Sequence, residues 1–450
     1  MYLTKNRFYQ SIFYILISFL IIFNGGNYEM YPQFNFVLVG FFFLYCFTDL
    51  NYKAHIKKFF FENKKIVVIY IIFLSYLIFQ ILPFHQELIK FLSPSKYKIL
   101  LDLDYNNFSS ISLDPSKTYR NFLNYISLIL FLIIFKTIFY KERHVLNFYY
   151  FLVISGFFTS IVAVYFYLIG NPDFLFISND SYKNSATGFF INRTVFSCFL
   201  NLCFLAGLEY LSLIDIIRYK KKNNFFAKIY LRIFLLFITI GIITSFSRIG
   251  NFLFLSVIIL YLLNQFFLKD KKNSFMFYSL ILIIFFDILL FGIYFGGFEI
   301  INRFAFLKNE LISYSNNNSS ILTTNRGDLA LFGLHQLKNF LFFGYGSGSF
   351  EILFKTFYLN TDIKYANHAH FDFIEFAGEL GIIGVSILFF VVFNCCKKIN
   401  FKNLKNFYLS IFLITILSFD FSFHIYLIQL IFLILFSVDT HKYSKIKNFY

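Results

Sequence analysis

Tryptophan is absent from this 450-residue chain, cysteine occurs five times, and charged residues make up only 14%. Each shortage excludes something. The cysteines (46, 198, 203, 395, 396) lie within hydrophobic stretches or at the start of a lysine-rich loop, so neither a disulfide framework nor a spaced cysteine metal site is expected. With 58% hydrophobic residues and a mean hydropathy of +0.66, a soluble fold of this size could not hide its apolar surface. A polytopic membrane protein remains. The lack of Trp beside 74 Phe fits a one-sided drift in residue usage, and no binding site is read into the phenylalanines. Acidic groups are also few, 24 against 40 Lys and Arg, for a formal net charge of +16. That balance would suit nucleic acid, but its distribution along the chain argues against it.

Apolar runs of about 17 to 25 residues read as spanning helices. They fall near 8–24, 33–49, 66–84, 121–140, 145–169, 194–214, 229–247, 249–268, 276–296 and 377–395. The stretch 407–438 is too long for one span and carries Asp420 and His424 at its middle. Lys and Arg settle the count. With the N-terminus inside, the segments 1–7, 49–65, 136–144, 217–228, 269–273, 397–405 and 441–450 hold 25 of them, and the opposite side holds 14. Of those 14, 11 lie in two long loops, where the positive-inside rule is weak. Both flanks of 407–438 are basic, so it crosses an even number of times, as a hairpin turning near Asp420. The expectation is one all-α integral membrane domain over 1–450, with about 12 spans and both termini inside. No small-residue cleavage site follows the first span, so it is read as retained. The excess positive charge marks topology.

Two outward segments are long, 85–120 and 297–376, and loops of such size between helices are usually functional. Within the second, "TTNRGDLALFGLHQLKNF" carries a helix start: Thr324 or Asn325 as cap, Asp328 in the first turn, then Leu329, Phe332, Leu337 and Phe340 on one face. This helix is expected on the membrane surface. The glycines of "GYGSGSF" (344–350) follow no strand and precede no Gly-Lys-Ser/Thr, so they make no nucleotide site and read as a flexible link. No internal repeat is found.

The outward face gathers candidate chemistry. Arg193 opens the sixth span in "GFFINRTVF", Arg248 sits at a near-zero-length turn in "TSFSRIGN", and Arg326 opens the surface helix. Arg stays charged and grips phosphate in bidentate geometry, so several on one membrane face suit a lipid diphosphate; the ordinary alternative is an Arg snorkelling to headgroups. Histidine as a residue type can take a proton from a sugar hydroxyl near neutral pH, which makes His368 and His370 candidates. Asp372, Glu375 and Glu379 are spaced three and four apart, one stripe on a helix. A carboxylate deep in hydrocarbon costs about 2.5–3.5 kcal/mol, so the stripe faces protein or a wet cleft. Two histidines at i and i+2 with Asp372 or Glu375 would be a ligand set incomplete by type and spacing, and no metal is expected. Asp287, mid-span in the ninth helix, is a further intramembrane candidate.

In their order, "SISLDPSKTYRN", "GFFINRTVF", "TSFSRIG", "NRGDLALF…FGYGSGSFE" and "HAHFDFIEFAGELGIIG" resemble the O-antigen ligase and O-antigen polymerase superfamily over roughly residues 110 to 395. The family's last motif reads His-Ala-His-Asn-Asp-Tyr-Leu followed by Glu-Leu-Gly; here Phe371 stands in place of the Asn. The resemblance implies a GT-C-like membrane glycosyltransferase in the bacterial inner membrane, with one large periplasmic loop containing short helices. Such an enzyme takes a glycan from undecaprenyl diphosphate on the periplasmic face and needs neither nucleotide sugar nor metal nor other cofactor. It implies catalytic roles for His370, Arg248 and Arg326, and substrate contacts for Arg193, His368 and Glu379; the rest of the carboxylate stripe, Asp372 and Glu375, is read beside them as holding sugar hydroxyls or orienting His370. The acceptor is lipid A-core in a ligase and another lipid-linked repeat unit in a polymerase; a protein acceptor is a third case. A transporter of lipid-linked glycans is the rival class, but it would spread polar residues through its spans, which here are nearly uncharged.

Overall fold

The computed structural model describes residues 2–105, 107–173, 182–217, 224–267, 281, 325–358, 365–397, 399–401 and 403–438. Among these residues the regular structure is helical, and the one extended pairing is a bridge between Phe84 and Ser109. In chain order the helices are α1 (Tyr2–Ile22), α2 (Tyr31–Thr48), α3 (Leu50–Glu62), α4 (Lys64–Ile81), α5 (Gln86–Leu92), α6 (Pro94–Asp102), α7 (Pro115–Ile138) and α8 (Glu142–Leu168). Then follow α9 (Arg193–Ile217), α10 (Asn224–Thr244), α11 (Arg248–Phe267), α12 (Asn325–Asn339), α13 (Phe350–Phe357), α14 (Asp372–Cys396), α15 (Leu404–Phe419) and α16 (Tyr426–Ser437).

Among the described residues, six helices are long and apolar enough to cross a bilayer: α2, α4, α7, α8, the Arg193–Ile214 part of α9, and α14. Three shorter apolar helices, Arg248–Asn264, α15 and α16, accompany them. This is the make-up of a multi-pass membrane protein. Every segment read from sequence as a span coincides with a helix, apart from 276–296. That one, with Asp287, lies outside the described residues except for position 281. The 407–438 stretch is broken as its charged flanks required: α15 stops at Phe419, Asp420 caps it, a 3-10 turn covers Ser422–His424, and α16 begins at Tyr426.

α9 lies at the centre, packed by α8, α10, α11 and α16. Small residues allow the closeness. A Cβ on Gly207 would come within 2.6 Å of Leu235, and one on Gly250 within 2.1 Å of the Ser197 hydroxyl. Phe, Leu and Ile from α1, α2, α7 to α11, α15 and α16 complete one continuous core.

Two expectations need correction. The helix at Asn325–Asn339 does turn Leu329 and Phe332 to one side, but that face packs against α13 and α14 and joins a separate cluster with Phe350 and Phe354. Protein covers it, so the helix is not simply laid on a membrane surface. The glycine segment after it is no flexible link. Gly344, Gly346 and Gly348 all have positive φ, a region that L side chains avoid, and Tyr345, Ser347 and Ser349 between them are buried.

The partner of this segment is a break in α14. Gly381 sits at φ 63°, ψ 178° inside the helix, which frees carbonyls that an unbroken helix would use. Tyr345 N–H donates to Gly378 O (2.9 Å) and Gly346 N–H to Glu379 O (3.1 Å). In return, Ile382 N–H donates to Leu341 O (2.9 Å). The approach is backbone to backbone: a Cβ on Gly344 would lie 2.2 Å from Glu379 O, and one on Gly381 2.4 Å from Phe342 O. Gln80 at the end of α4 closes the joint, donating to Phe343 O and Glu379 O at 2.8 and 2.9 Å.

Candidate functional site

Hydrogen bonds between helix ends gather the candidate residues at one end of the bundle. α10 ends at Thr244, whose carbonyl accepts from Ala186 N–H (2.9 Å) just before α9. Ser247, just ahead of α11, donates to Thr194 in the first turn of α9 (3.3 Å). The turn at Ser422–His424 packs on α9, and Asp372 N–H at the start of α14 donates to Asp420 O (3.3 Å). Thus α9, α11, α14 and α16 all begin where α10 and α15 end.

Arg193 and Arg248 are the first residues of α9 and α11. Asn192 caps α9, its side-chain oxygen accepting from Thr194 N–H (2.7 Å) and Val195 N–H (3.3 Å). Ser247 does the same for α11, accepting from Gly250 N–H at 3.2 Å. The tight turn that sequence spacing required costs backbone strain, because the buried Phe246 is held at φ 49°. Arg248 is exposed and Arg193 half-buried, its guanidinium 5.4 Å from the Tyr182 ring centre. Arg326 lies in the first turn of α12; its side chain is outside the described residues.

The histidine motif meets the last hairpin. His368 Nδ1 pairs with Glu375 Oε1 at 2.8 Å, and Glu375 Oε2 accepts from Ala369 N–H at 2.8 Å. His424 Nδ1 pairs with Asp372 Oδ1 at 2.5 Å, while Asp372 Oδ2 accepts from Phe423 N–H at 3.1 Å. His424 Nε2 lies 3.7 Å from both Glu375 Oε1 and Glu379 Oε2. Rings fix the imidazole planes: His424 stacks on Phe376 at 4.0 Å and His368 on Phe421 at 4.6 Å, and His370 meets the edge of Phe421 at 5.0 Å. His370 itself is held at φ 57°, a conformation kept only where its surroundings enforce it.

The three-carboxylate stripe does fall on one helix face, and it is fully inside: Asp372 and Glu379 are 0% exposed and Glu375 1%. Charged groups this deep must be paired. Two of the carboxylates are engaged by histidines and backbone, and Ser347 lies 3.5 Å from the third. Spacing could not find His424, which comes from a helix pair much later in the chain. The signal available was its own position, an ionisable group inside an apolar stretch.

Lysine contacts at Lys96 and Glu351, both outside the spanning helices, brace this end. Burial pushes the Lys96 ammonium of α6 down to about 8, and it donates to Ser112 O and Ser110 Oγ ahead of α7. Burial alone would raise the Glu351 carboxyl of α13. Hydrogen bonds from Lys117 and Lys355 outweigh it and hold that carboxyl at about 2.

Residues 233–389 match the protein-family model described as O-antigen ligase. The matched stretch contains Arg248, Arg326, both motif histidines and the three carboxylates, but not Arg193 or His424. This stretch is therefore similar to the O-antigen ligase superfamily, a similarity that suggests glycosyltransferase-like enzyme activity. No curated protein matches the chain.

Proposed function

We propose that this protein is an O-antigen ligase-like glycosyltransferase of the bacterial inner membrane. It moves a glycan from undecaprenyl diphosphate to an acceptor hydroxyl, of lipid A-core in the first instance, on the periplasmic face. One observation carries the reading. Arg193, Arg248 and Arg326 all stand in the first turns of helices, where a cation meets the positive end of the helix dipole and is disfavoured by about 0.3–1 kcal/mol. Helix N-termini are themselves anion sites. A diphosphate satisfies both the helix ends and the guanidinium forks.

In the proposed reaction the acceptor oxygen bonds to the anomeric carbon from the face opposite the lipid. The bond from that carbon to the diphosphate oxygen breaks, and the diphosphate leaves with the electron pair. His370 accepts the hydroxyl proton. Arg248 and Arg326, with Arg193 beside them, hold the charge that gathers on the departing diphosphate. Glu375 and Asp372 act by fixing His368 and His424, which support the segment that presents His370. The steps use side chains alone.

The test is transfer by the purified protein in detergent, given lipid-linked glycan and acceptor. Turnover is the expected result. A transporter has no work to do where there is no sidedness, so an inert but well-folded protein would contradict the reading. Deleting the gene separates acceptors. Loss of all attached chains from surface lipid marks a ligase, and survival of a single attached repeat marks a polymerase.

A further inference from the structure

Beneath the proposed glycan site lies a group of side chains that hydrogen bonding does not complete. His424 Nε2 has no hydrogen-bond partner among the described residues, nor has Glu379 Oε1. Both side chains are more than nine-tenths buried. The 3.7 Å gaps from Nε2 to Glu375 Oε1 and Glu379 Oε2 exceed a hydrogen bond. They are near the spacing of ligands that share one small cation, since bonds of about 2.0–2.1 Å in a tetrahedron set donor atoms about 3.4 Å apart. One ligand atom each from His368, Glu375 and His424 already lies within 4.8 Å of the others.

We propose that His368, Glu375 and His424, with Glu379 as fourth ligand, form a binding site for one divalent cation of the zinc type. Two imidazole nitrogens with carboxylate oxygens favour zinc or a similar borderline ion over magnesium or calcium, which take oxygen ligands. His424 is prepared for this. Its Nδ1 lies against Asp372 at 2.5 Å, which leaves Nε2 facing the two glutamates as the atom that would bind the ion, and such carboxylate support is usual for metal-bound histidines. Phe376, stacked on the same ring at 4.0 Å, prevents it from turning away. Charge points the same way. Asp372, Glu375 and Glu379 are all buried at this spot, and a divalent ion among them would offset two negative charges.

The ion's place in the fold is structural. It ties the segment before α14 to the turn between α15 and α16, so the loop carrying His370 is anchored from both sides. The proposal goes beyond the glycan-transfer reading and stands or falls separately from it. Its test is metal content, not turnover. Full-length protein purified in detergent is stripped with a chelator, dialysed, and titrated with zinc chloride, with bound metal measured by mass spectrometry and cobalt uptake followed in the visible spectrum.

Wild-type protein is expected to take up close to one zinc per chain. His424→Gln and Glu375→Gln are expected to lose it, while Asp372→Asn weakens affinity about 10–100-fold. His335→Gln, on the exposed side of α12, leaves it unchanged. Wild-type protein that binds no zinc, or variants that bind it as tightly, overturns the proposal. If the substituted proteins do not fold, the cobalt spectrum of the wild type decides: a tetrahedral nitrogen–oxygen band supports the site, and its absence refutes it.

Discussion

Arg248 occupies a turn of almost no length between α10 and α11, in a chain whose short segments read as outward hold few basic residues. Nothing about such a turn calls for a cation, and as the first residue of α11 it faces the positive end of the helix dipole. Because the proposed diphosphate contact draws on a planar fork as well as on charge, Arg248→Lys is expected to lose about tenfold or more in transfer rate, read in the purified assay. The position of Arg248 was legible from its neighbours along the chain. His424 was less so. Its meaning needs Asp372 and Glu375, which come from another helix, and no local pattern joins them.

Two charged residues away from the spans set pH dependences. The Glu351 carboxyl is held at about 2 against an ordinary 4.5. Its ion pairs with Lys117 and Lys355 therefore stabilise the fold fully above pH 4.5 and are lost as pH falls toward 2. Glu351→Gln should flatten that acid limb of a melting-temperature profile. Lys96 works in the other sense. Its pKa is near 8 folded against 10.5 ordinarily, so the unfolded chain binds the extra proton and stability rises with pH through that window. Lys96→Met should remove the rise, and an unchanged slope would mean that the ammonium is solvated.

Among the elements, the helices were legible and their joints were not. Apolar runs marked the spans because only hydrocarbon length sets them, and basic flanks on both sides of 407–438 required the break that falls at Asp420. The glycines of 344–348 looked like slack, because sequence cannot show that a second backbone lies against them. That partner is the break at Gly381, and the two glycine sets explain each other. Gly381→Ala and Gly344→Ala each force a side chain into a carbonyl at positive φ. Each is expected to cost more than about 1 kcal/mol, seen as a lower unfolding temperature in detergent. Gly40, with nothing within 4 Å of a Cβ and ordinary φ, is the matched control and should tolerate Ala. Equal melting of all three variants would remove the joint from the account.

The whole molecule divides its labour between two ends. Lys and Arg cluster in the segments read as cytoplasmic, while Arg193, Arg248, the histidines and the buried carboxylates lie where α9, α11, α14 and α16 begin. Cysteine substituted at Asn251 next to Arg248, and at Asn63 in the basic segment before α4, should react with an impermeant maleimide from opposite sides of the membrane. The most direct measurement is glycan transfer by purified Arg248→Ala and His370→Ala proteins, supplied with undecaprenyl-diphosphate-linked glycan and acceptor. Losses of about 10²–10³ for the arginine and about 10²–10⁴ for the histidine are predicted. Full activity in both, from well-folded protein, would contradict the account.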